Sequence, residues 1–397
     1  MKTKFVTQFV FLLLIGFGLT NCTDPYKMKT DTFEDAVVIE ATITNILEKQ
    51  TVKVFRTYRF EDFGPVFEEN ADVTITDSDG NEYPFAESNR TYTSVNAFQA
   101  VPGKQYQLTV ITSDGKKYVS TKEILPPDNP LEDVTANVTT IDNIRGVEIR
   151  AKSPDPNNAS QFYRYEYEES YKVIAPRWIH LRGVVSGPSL YDLKVTMVPR
   201  TEEARICYSI DKSTEILLLD KGKTIENSVD FPVRFISNQN YIMSHRYTIL
   251  VRQYVQNLHA YNYYKNLKKI SDGGSILSPN QPGYLRGNIT SVNNPNEKVI
   301  GFFDVSTVSS KRIYFNYADL FPGEPLPPYK VDCRIIPILY CYGGGLCNAP
   351  ALNSYLNNNL MAIYNYAQAP DAYDITPIEC GDCTSFSSNI IPPFWIE

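Results

Sequence analysis

Along the first third of the chain, apolar and polar residues alternate with a period of two, in short bursts separated by turn residues. Val37-Val38-Ile39-Glu40-Ala41-Thr42-Ile43 opens the series, followed by Thr51-Val52-Lys53-Val54-Phe55-Arg56 and Ala71-Asp72-Val73-Thr74-Ile75-Thr76. Side chains on a strand point alternately to its two faces, so this spacing predicts half-buried strands. Asp77-Ser78-Asp79-Gly80 predicts a turn before Tyr83-Pro84-Phe85. Thr91–Ala97 and Tyr106–Val110 predict two more strands, and Ser113-Asp114-Gly115 predicts a hairpin into Lys117–Thr121. Seven such strands in about 90 residues predict an immunoglobulin-like β-sandwich over residues 36–125. Val101-Pro102-Gly103 and then Tyr106 place a tyrosine where such sandwiches form a corner hydrogen bond, which is a structural role.

Pro126-Pro127-Asp128-Asn129-Pro130 marks a boundary, because proline interrupts ladders and stiffens linkers. Residues 131–397 then predict a larger β-rich domain, with strands at Val147–Ala151, Gln161–Tyr167, Arg246–Arg252, Val299–Val305 and Lys311–Asn316. The stretch 171–240 is less regular, and Pro322–Pro328 is a proline-rich connector. One helix stands out: Leu258, Tyr261, Tyr264 and Leu267 recur at three-residue spacing within 255–270. Lys265, Lys268 and Lys269 sit late in it, where they complement the macrodipole, and Asp272-Gly273-Gly274 supplies a stop. The reading is an amphipathic helix packed on a sheet. The fold class is therefore mainly β: a sandwich, then a larger β-rich domain with one main helix and a cysteine-rich C-terminal segment.

Composition fits that pattern. Tyrosine alone contributes 28 residues and proline 26, and β-branched and aromatic residues suit pleated surfaces. Net charge is −7, with no basic stripe interleaved with aromatics, which argues against a nucleic-acid partner.

The first 22 residues change the setting. Lys2 and Lys4 precede an uncharged apolar run, Phe9–Leu19, and Cys22 follows directly. That run is 11 residues long, whereas a membrane-spanning helix needs about 20. The layout is that of a secretory signal peptide, residues 1–21, cut before Cys22, with Cys22 as the lipidation site (palmitate included) and 22–35 as a tether. The mature chain of about 376 residues is then held to a membrane by its acyl chains, since two or more anchor stably where one does not.

With Cys22 set aside, six cysteines remain: Cys207, Cys333, Cys341, Cys347, Cys380 and Cys383. An even set in an exported chain predicts disulfides, with 15 connectivities open. Five of the six fall in the last 65 residues, so about 330–397 reads as a loop-rich, stapled segment. Pairing among those five leaves one to reach back to Cys207. Cys341–Cys347 and Cys380–Cys383 suggest zinc knuckles, but the first gap is too wide; Cys380-x-x-Cys383 also suggests a redox pair, but no thioredoxin-like βαβ pattern surrounds it, and an exported chain favours structural disulfides.

Candidate chemistry is sparse. His180, His245 and His259 share no metal spacing, and His259 reads as a partly exposed surface residue on the helix. Glu168-Glu169 and Glu202-Glu203 read as surface carboxylate pairs. No catalytic elbow or phosphate loop is present, so no enzyme activity, cofactor or metal is expected.

Taken in order, several segments resemble a known family. They are Cys22-Thr-Asp-Pro, Phe33-Glu-Asp-Ala-Val-Val-Ile-Glu with Ile43-Thr44, Ile124-Leu-Pro, Cys207-Tyr208, Tyr247-x-Ile249-x-Val251 and Ala260-Tyr-x-Tyr-Tyr-Lys265. Next come Gly273-Gly-Ser-Ile-Leu, Leu285-Arg286-Gly287-Asn288-Ile289, Val299-Ile-Gly-Phe-Phe-Asp-Val-Ser306, Lys311-Arg312-Ile313 and Cys380-x-Asp382-Cys383 with Pro393-Phe394-Trp395. Together they resemble the domain-of-unknown-function family numbered 4249, outer-membrane lipoproteins of the Bacteroidota. Ser385-Phe-Ser-Ser replaces the glycine-threonine turn common in that family's tail, and the Cys341–Cys347 insert is particular to this chain.

The resemblance implies a setting rather than an activity: a cell-surface partner of a TonB-dependent outer-membrane transporter. The expected function is therefore non-enzymatic ligand capture or gating beside such a barrel. A structural or assembly component of an outer-membrane complex is the second reading, and a surface hydrolase the third. Thr23-Asp24-Pro25 carries one acid after the cysteine, and the reading leans to the cell exterior. The ligand is not legible in the sequence.

Overall fold

A computed structural model describes residues 35–397, apart from 59–61, 63, 156–158, 187–193, 224–227, 273–284, 340–348 and 367–371. The predicted signal peptide, Cys22 and the tether up to residue 34 lie outside the described residues, as do Cys341, Cys347 and the Gly273-Gly274 stop.

The period-two bursts become strands β1 (Val37–Thr44), β2 (Thr51–Arg56), β3 (Val66–Phe67), β4 (Asp72–Asp77), β5 (Glu82–Ser88), β6 (Thr91–Ser94), β7 (Gln105–Ile111), β8 (Lys117–Ser120) and β9 (Glu123–Ile124). Their inward positions, such as Val37, Ile39, Ala41 and Ile43 of β1, are buried, while Glu40 is exposed. The Asp114-Gly115 hairpin forms with Gly115 at φ +81, a conformation that favours glycine. Tyr106 makes the expected corner, its hydroxyl accepting from the Val101 N–H at 2.9 Å.

The second unit contributes β10 (Asp133–Ile141), β11 (Ile144–Pro154), β12 (Phe162–Ile174), β13 (Leu181–Ser186), β14 (Lys194–Pro199), β15 (Ile206–Lys212), β16 (Leu217–Asp220), β17 (Ser228–Ser237) and β18 (Arg246–Gln256). Helix α1 (Leu258–Asp272) follows, then β19 (Ile289–Ser291) and β20 (Val299–Asn316). β10, β11 and β17 make one sheet, which faces β12 and β18 across a core that includes Val147, Ile149, Tyr163, Tyr165, Tyr247 and Val251. Among the described residues no helix is long and apolar enough to cross a membrane.

The two units share β20. Residues 299–306 pair in parallel with β1, and residues 307–316 pair antiparallel with β18. The strand's 18 residues span about 60 Å. Sequence patterning predicts two strands here, separated by the polar run Ser306–Ser310. The structure has one, because the proline linker lies along that run and satisfies it. Thr307 donates to the Pro126 carbonyl at 2.7 Å, the Leu131 N–H donates to Ser309 Oγ at 2.8 Å, and the Val308 N–H donates to Asn45 Oδ1 at 2.7 Å. The linker is also fastened at Asn129, which donates to the Tyr163 hydroxyl and whose carbonyl accepts from Gln253, both at 2.8 Å.

The first unit's core takes residues from far along the chain: Ile289, Val299, Phe303 and Val305 pack with Ile39, Val54, Ile75 and Leu108. Its ladder runs β20-β1-β2-β6-β5-β4-β7-β8-β19. Asn288, just before β19, brings the two ends together. Its amide accepts from the Phe303 N–H at 2.8 Å and donates to the Phe303 carbonyl at 2.9 Å, the pairing a neighbouring strand would make. Gly287 and Gly301 permit this approach. A Cβ on Gly287 would sit 1.7 Å from the Gly301 carbonyl oxygen, and one on Gly301, at φ +109, would sit 1.9 Å from the Ile39 carbonyl oxygen.

The tail departs from the loop-rich expectation. β21 (Ile336–Leu339), β22 (Met361–Tyr366) and β23 (Ala372–Pro377) form a sheet, with a helix at Ala349–Asn357. Ile338, Leu352, Ile363 and Ile375 bury a core of their own, joined by Val195 of the β13–β14 hairpin. Two disulfides staple it: Cys207–Cys383 ties the tail to β15, and Cys333–Cys380 closes the segment on itself.

Candidate functional site

Three segments with the family likeness, Ala260–Lys265, Leu285–Ile289 and Val299–Ser306, meet at the junction of the two units by helix α1. Asn257 caps the helix start by accepting from the Ala260 N–H at 2.8 Å. Its own amide donates to Glu123 at 2.7 Å, and Asn288 and Thr121 donate to the same buried carboxylate at 3.0 and 2.6 Å. The helix's inward face is aromatic. Tyr261 stacks on Phe162 with ring centroids 4.7 Å apart, and Tyr263 stacks on Phe302 at 4.9 Å. Tyr264 hydrogen-bonds Thr42 of β1, and burial pushes its hydroxyl up to about 12.

Below Tyr264 lies Arg164 of β12. Its guanidinium carbon is 4.6 Å from the Tyr264 ring centroid and 4.2 Å from that of Tyr254, which sits opposite it on β18. The side chain is 9% exposed and pairs with Glu166, which also accepts from the Tyr254 hydroxyl at 3.1 Å. Burial works against the Arg164 charge, but Tyr264, Glu166, Asp304 and Tyr254 around it outweigh that and hold it firmly protonated. Asp304 of β20 is wholly buried and accepts from Gln256 at 2.9 Å and Ser306 at 2.7 Å; burial still raises its carboxyl above the ordinary value. The Arg164 Nε–H is buried with no hydrogen-bond acceptor. An unmade bond of that kind costs about 1–3 kcal/mol.

A two-lobed groove opens over this arginine. One lobe, about 430 Å³, lies against β1 and β2 of the first unit and reaches Lys49 and Phe302. The other, about 530 Å³, extends over β12 and β18 to Lys212 and Arg252. Lys53, Arg164, Glu166, Tyr254, Tyr264 and Leu267 line both. Each lobe falls within the size range of small-molecule sites, and sites of this kind favour the seam between two packed units.

The sequence-derived candidates lie elsewhere. Cys207, Cys333, Cys380 and Cys383 are disulfide-bonded, so Cys380 and Cys383 are not partners of one another. Among the described residues no group of three His, Cys, Asp or Glu is placed to hold a metal ion. His259 is exposed, 4.0 Å from Glu123, and His180 is exposed. His245 is partly buried, and burial lowers its basicity. The reading of Glu168-Glu169 as a surface pair is corrected. Glu169 is buried, accepting from Arg234 at 3.1 and 3.2 Å and from the Tyr247 hydroxyl at 2.5 Å, while Glu168 pairs with Arg312 at 3.0 Å. Neighbours on a strand face opposite ways, so the two carboxylates cannot act together. The Pro393-Phe394-Trp395 tail is a clamp: Arg312 sits 3.7 Å over Phe394, and Trp395 meets Tyr208 edge-on at 4.8 Å.

Arg164, Glu166 and Tyr254 are invisible to patterning, because polar residues at the outward positions of a strand read as solvent-facing. The signal lay in the tyrosine-rich helix and in Asp304, both within segments that carry the family likeness.

A sequence-family model described as "Domain of unknown function (DUF4249)" matches residues 23–312. No curated protein matches the chain. One solved structure that does, described as manganese lipoxygenase of Gaeumannomyces graminis with a partial structure of zonadhesin of Komagataella pastoris, is 9% identical. The match covers 58% of this chain and 91% of that one at a TM-score of 0.15, too low a likeness to bear on fold or function.

Proposed function

Because the chain belongs to the DUF4249 family, whose description assigns no activity, we propose its function from the groove: it is a lipid-anchored outer-membrane protein, facing the cell exterior, that captures a ligand for a TonB-dependent transporter. The observation that carries this reading is the seam itself. Tyr264 and Leu267 of the helix, Thr42 and Lys53 of the first unit and Arg164 and Tyr254 of the second line a groove between two units rather than filling the space between them. The linker that joins the units is bonded along its length, which supports a preformed site, and a preformed site lowers the ordering cost of binding. A lipid on Cys22 would hold that site beside membrane partners, and the apolar run ending just before Cys22 supports that part of the reading.

The test is recovery of the tagged chain from detergent-solubilised outer membranes. A TonB-dependent barrel should come with it; a preparation free of any such barrel overturns the transporter reading. Replacing Cys22 by serine should release the chain from the membrane fraction and abolish palmitate labelling.

The assembly-component reading draws on a different surface. Ile210, Ile390 and Ile391 are exposed around an open apolar hollow of about 740 Å³ beside the Cys383–Ser388 turn. Deleting the gene separates the two. Lost ligand uptake with an intact envelope favours capture, and general envelope defects favour assembly.

A further inference from the structure

The capture reading leaves the ligand's chemistry open, and the groove's charge and donor geometry bear on it. Four cations, Lys53, Arg164, Lys212 and Arg252, line the lobe over β12 and β18, against two carboxylates, Glu166 and Glu215. That lobe therefore carries two more positive than negative side chains. Glu166 is already engaged by Arg164 and the Tyr254 hydroxyl, so the excess falls on the groove rather than on that ion pair. The lobe against β1 and β2 is balanced, with Lys49, Lys53 and Arg164 facing Glu40, Glu48 and Glu166.

Arg164 sets the mode of contact. Tyrosine rings lie against its guanidinium at 4.2 and 4.6 Å, and ring contacts of this kind occupy the faces of the planar group. A ligand then meets it through the in-plane N–H edges. The Nε–H on such an edge has no acceptor within the protein. A planar anion with two oxygens matches a guanidinium edge in a fork of two parallel hydrogen bonds. A carboxylate has that shape.

We propose that the groove binds a small organic carboxylate, its acid group on Arg164 in the cationic lobe and its uncharged, polar body in the balanced lobe beside Tyr264 and Phe302. Each lobe has room for one sugar ring or a short peptide. The carboxylate can come from a sugar acid or from an acidic peptide; the shared chemistry is the acid on a compact polar body. This assignment rests on reading the groove as a capture site, but not on the identity of the membrane partner.

Titration calorimetry on the full chain purified in detergent tests it, with four probes: glucuronate, glucose, N-acetyl-glutamic acid α-amide and N-acetyl-glutamine α-amide, the last of which, like glucose, carries no carboxylate. At least one acid should bind, and its neutral counterpart should bind at least tenfold more weakly. Glucuronate alone identifies a sugar-acid site, and N-acetyl-glutamic acid α-amide alone an acidic-peptide site. Arg164→Gln should weaken the bound acid tenfold or more. Because that change also strips Glu166 of its partner, Lys212→Ala and Arg252→Gln serve as rim variants. Each should weaken the acid about threefold, as loss of a nearby favourable charge does, with an unchanged thermal midpoint. Binding of neither acid, equal binding of acid and neutral probe, or rim variants that bind as tightly as the original chain overturns the proposal. None of these readouts needs a barrel, so an empty pull-down with intact acid binding sinks the transporter partner alone.

Discussion

Replacing Asn288 by alanine tests whether one side-chain amide closes the first sandwich. The change removes the acceptor of the Phe303 N–H at 2.8 Å and the donor to the Phe303 carbonyl at 2.9 Å. Phe303 is wholly buried, so water cannot take the amide's place. Each stranded backbone group costs about 1–3 kcal/mol. Glu123 loses one donor at 3.0 Å but keeps Thr121 and Asn257. The expected destabilisation is about 3–5 kcal/mol, read as a lowered urea midpoint with the slope unchanged. Asn288→Asp sharpens the test. It preserves size and the acceptor for the Phe303 N–H, but sets a carboxylate oxygen against the Phe303 carbonyl and the Glu123 carboxylate. At neutral pH it should cost more than alanine. Its deficit should shrink on acidification, when the protonated acid regains a donor. A loss below about 1 kcal/mol for alanine, or an aspartate variant milder than alanine at pH 7, refutes the account, because an unmade buried pair has that minimum cost.

Three further outcomes follow from the fold. Gly301→Ala, at φ +109 with the Ile39 carbonyl 1.9 Å from the new Cβ, should cost about 3 kcal/mol or more and separate β1 from β20; a near-native melting temperature counts against it. Removing Cys207–Cys383, which bridges 176 residues, should cost about 5 kcal/mol on a chain-entropy account, against about 4 for Cys333–Cys380, which bridges 47; the reverse ranking in denaturant melts of the paired serine variants contradicts it. Burial alone would raise the Asp77 carboxyl, but hydrogen bonds from Asn81, Lys104 and Tyr83 outweigh that and hold it well below the ordinary 3.8. The stability it lends is present above 3.8 and is lost as pH falls below it, so Asp77→Asn should flatten the acid limb of the stability profile below pH 3.8. An unchanged acid limb argues against that assignment.

The first unit's strands and the 258–272 helix are legible because local periodicity and turn chemistry specify them. The rest depends on distant partners. β20 hides as two strands because the polar run Ser306–Ser310 is satisfied by residues such as Pro126 and Leu131, more than 170 positions away. Residues 171–240 look irregular where charged positions such as Arg234 take a partner from another strand, here the buried Glu169, instead of following an apolar rhythm. The tail's cysteines are legible as staples, but its core is not, since Val195 of the β13–β14 hairpin completes it from more than 130 residues upstream. Arg164 becomes special only once a helix closes over an outward strand position.

The shared strand also has a mechanical meaning. β1 begins at Val37, where the chain leaves its N-terminal segment, and runs in the same direction as β20, from Val37 beside Val299 to Thr44 beside Ser306. A pull on the chain's start, opposed by a load on the second unit at the far end of β20, would slide the two strands past each other lengthwise. Their hydrogen bonds would then carry the force together rather than opening one at a time like a zip. A protein tugged at one end while its other half grips a cargo would resist extension at this seam.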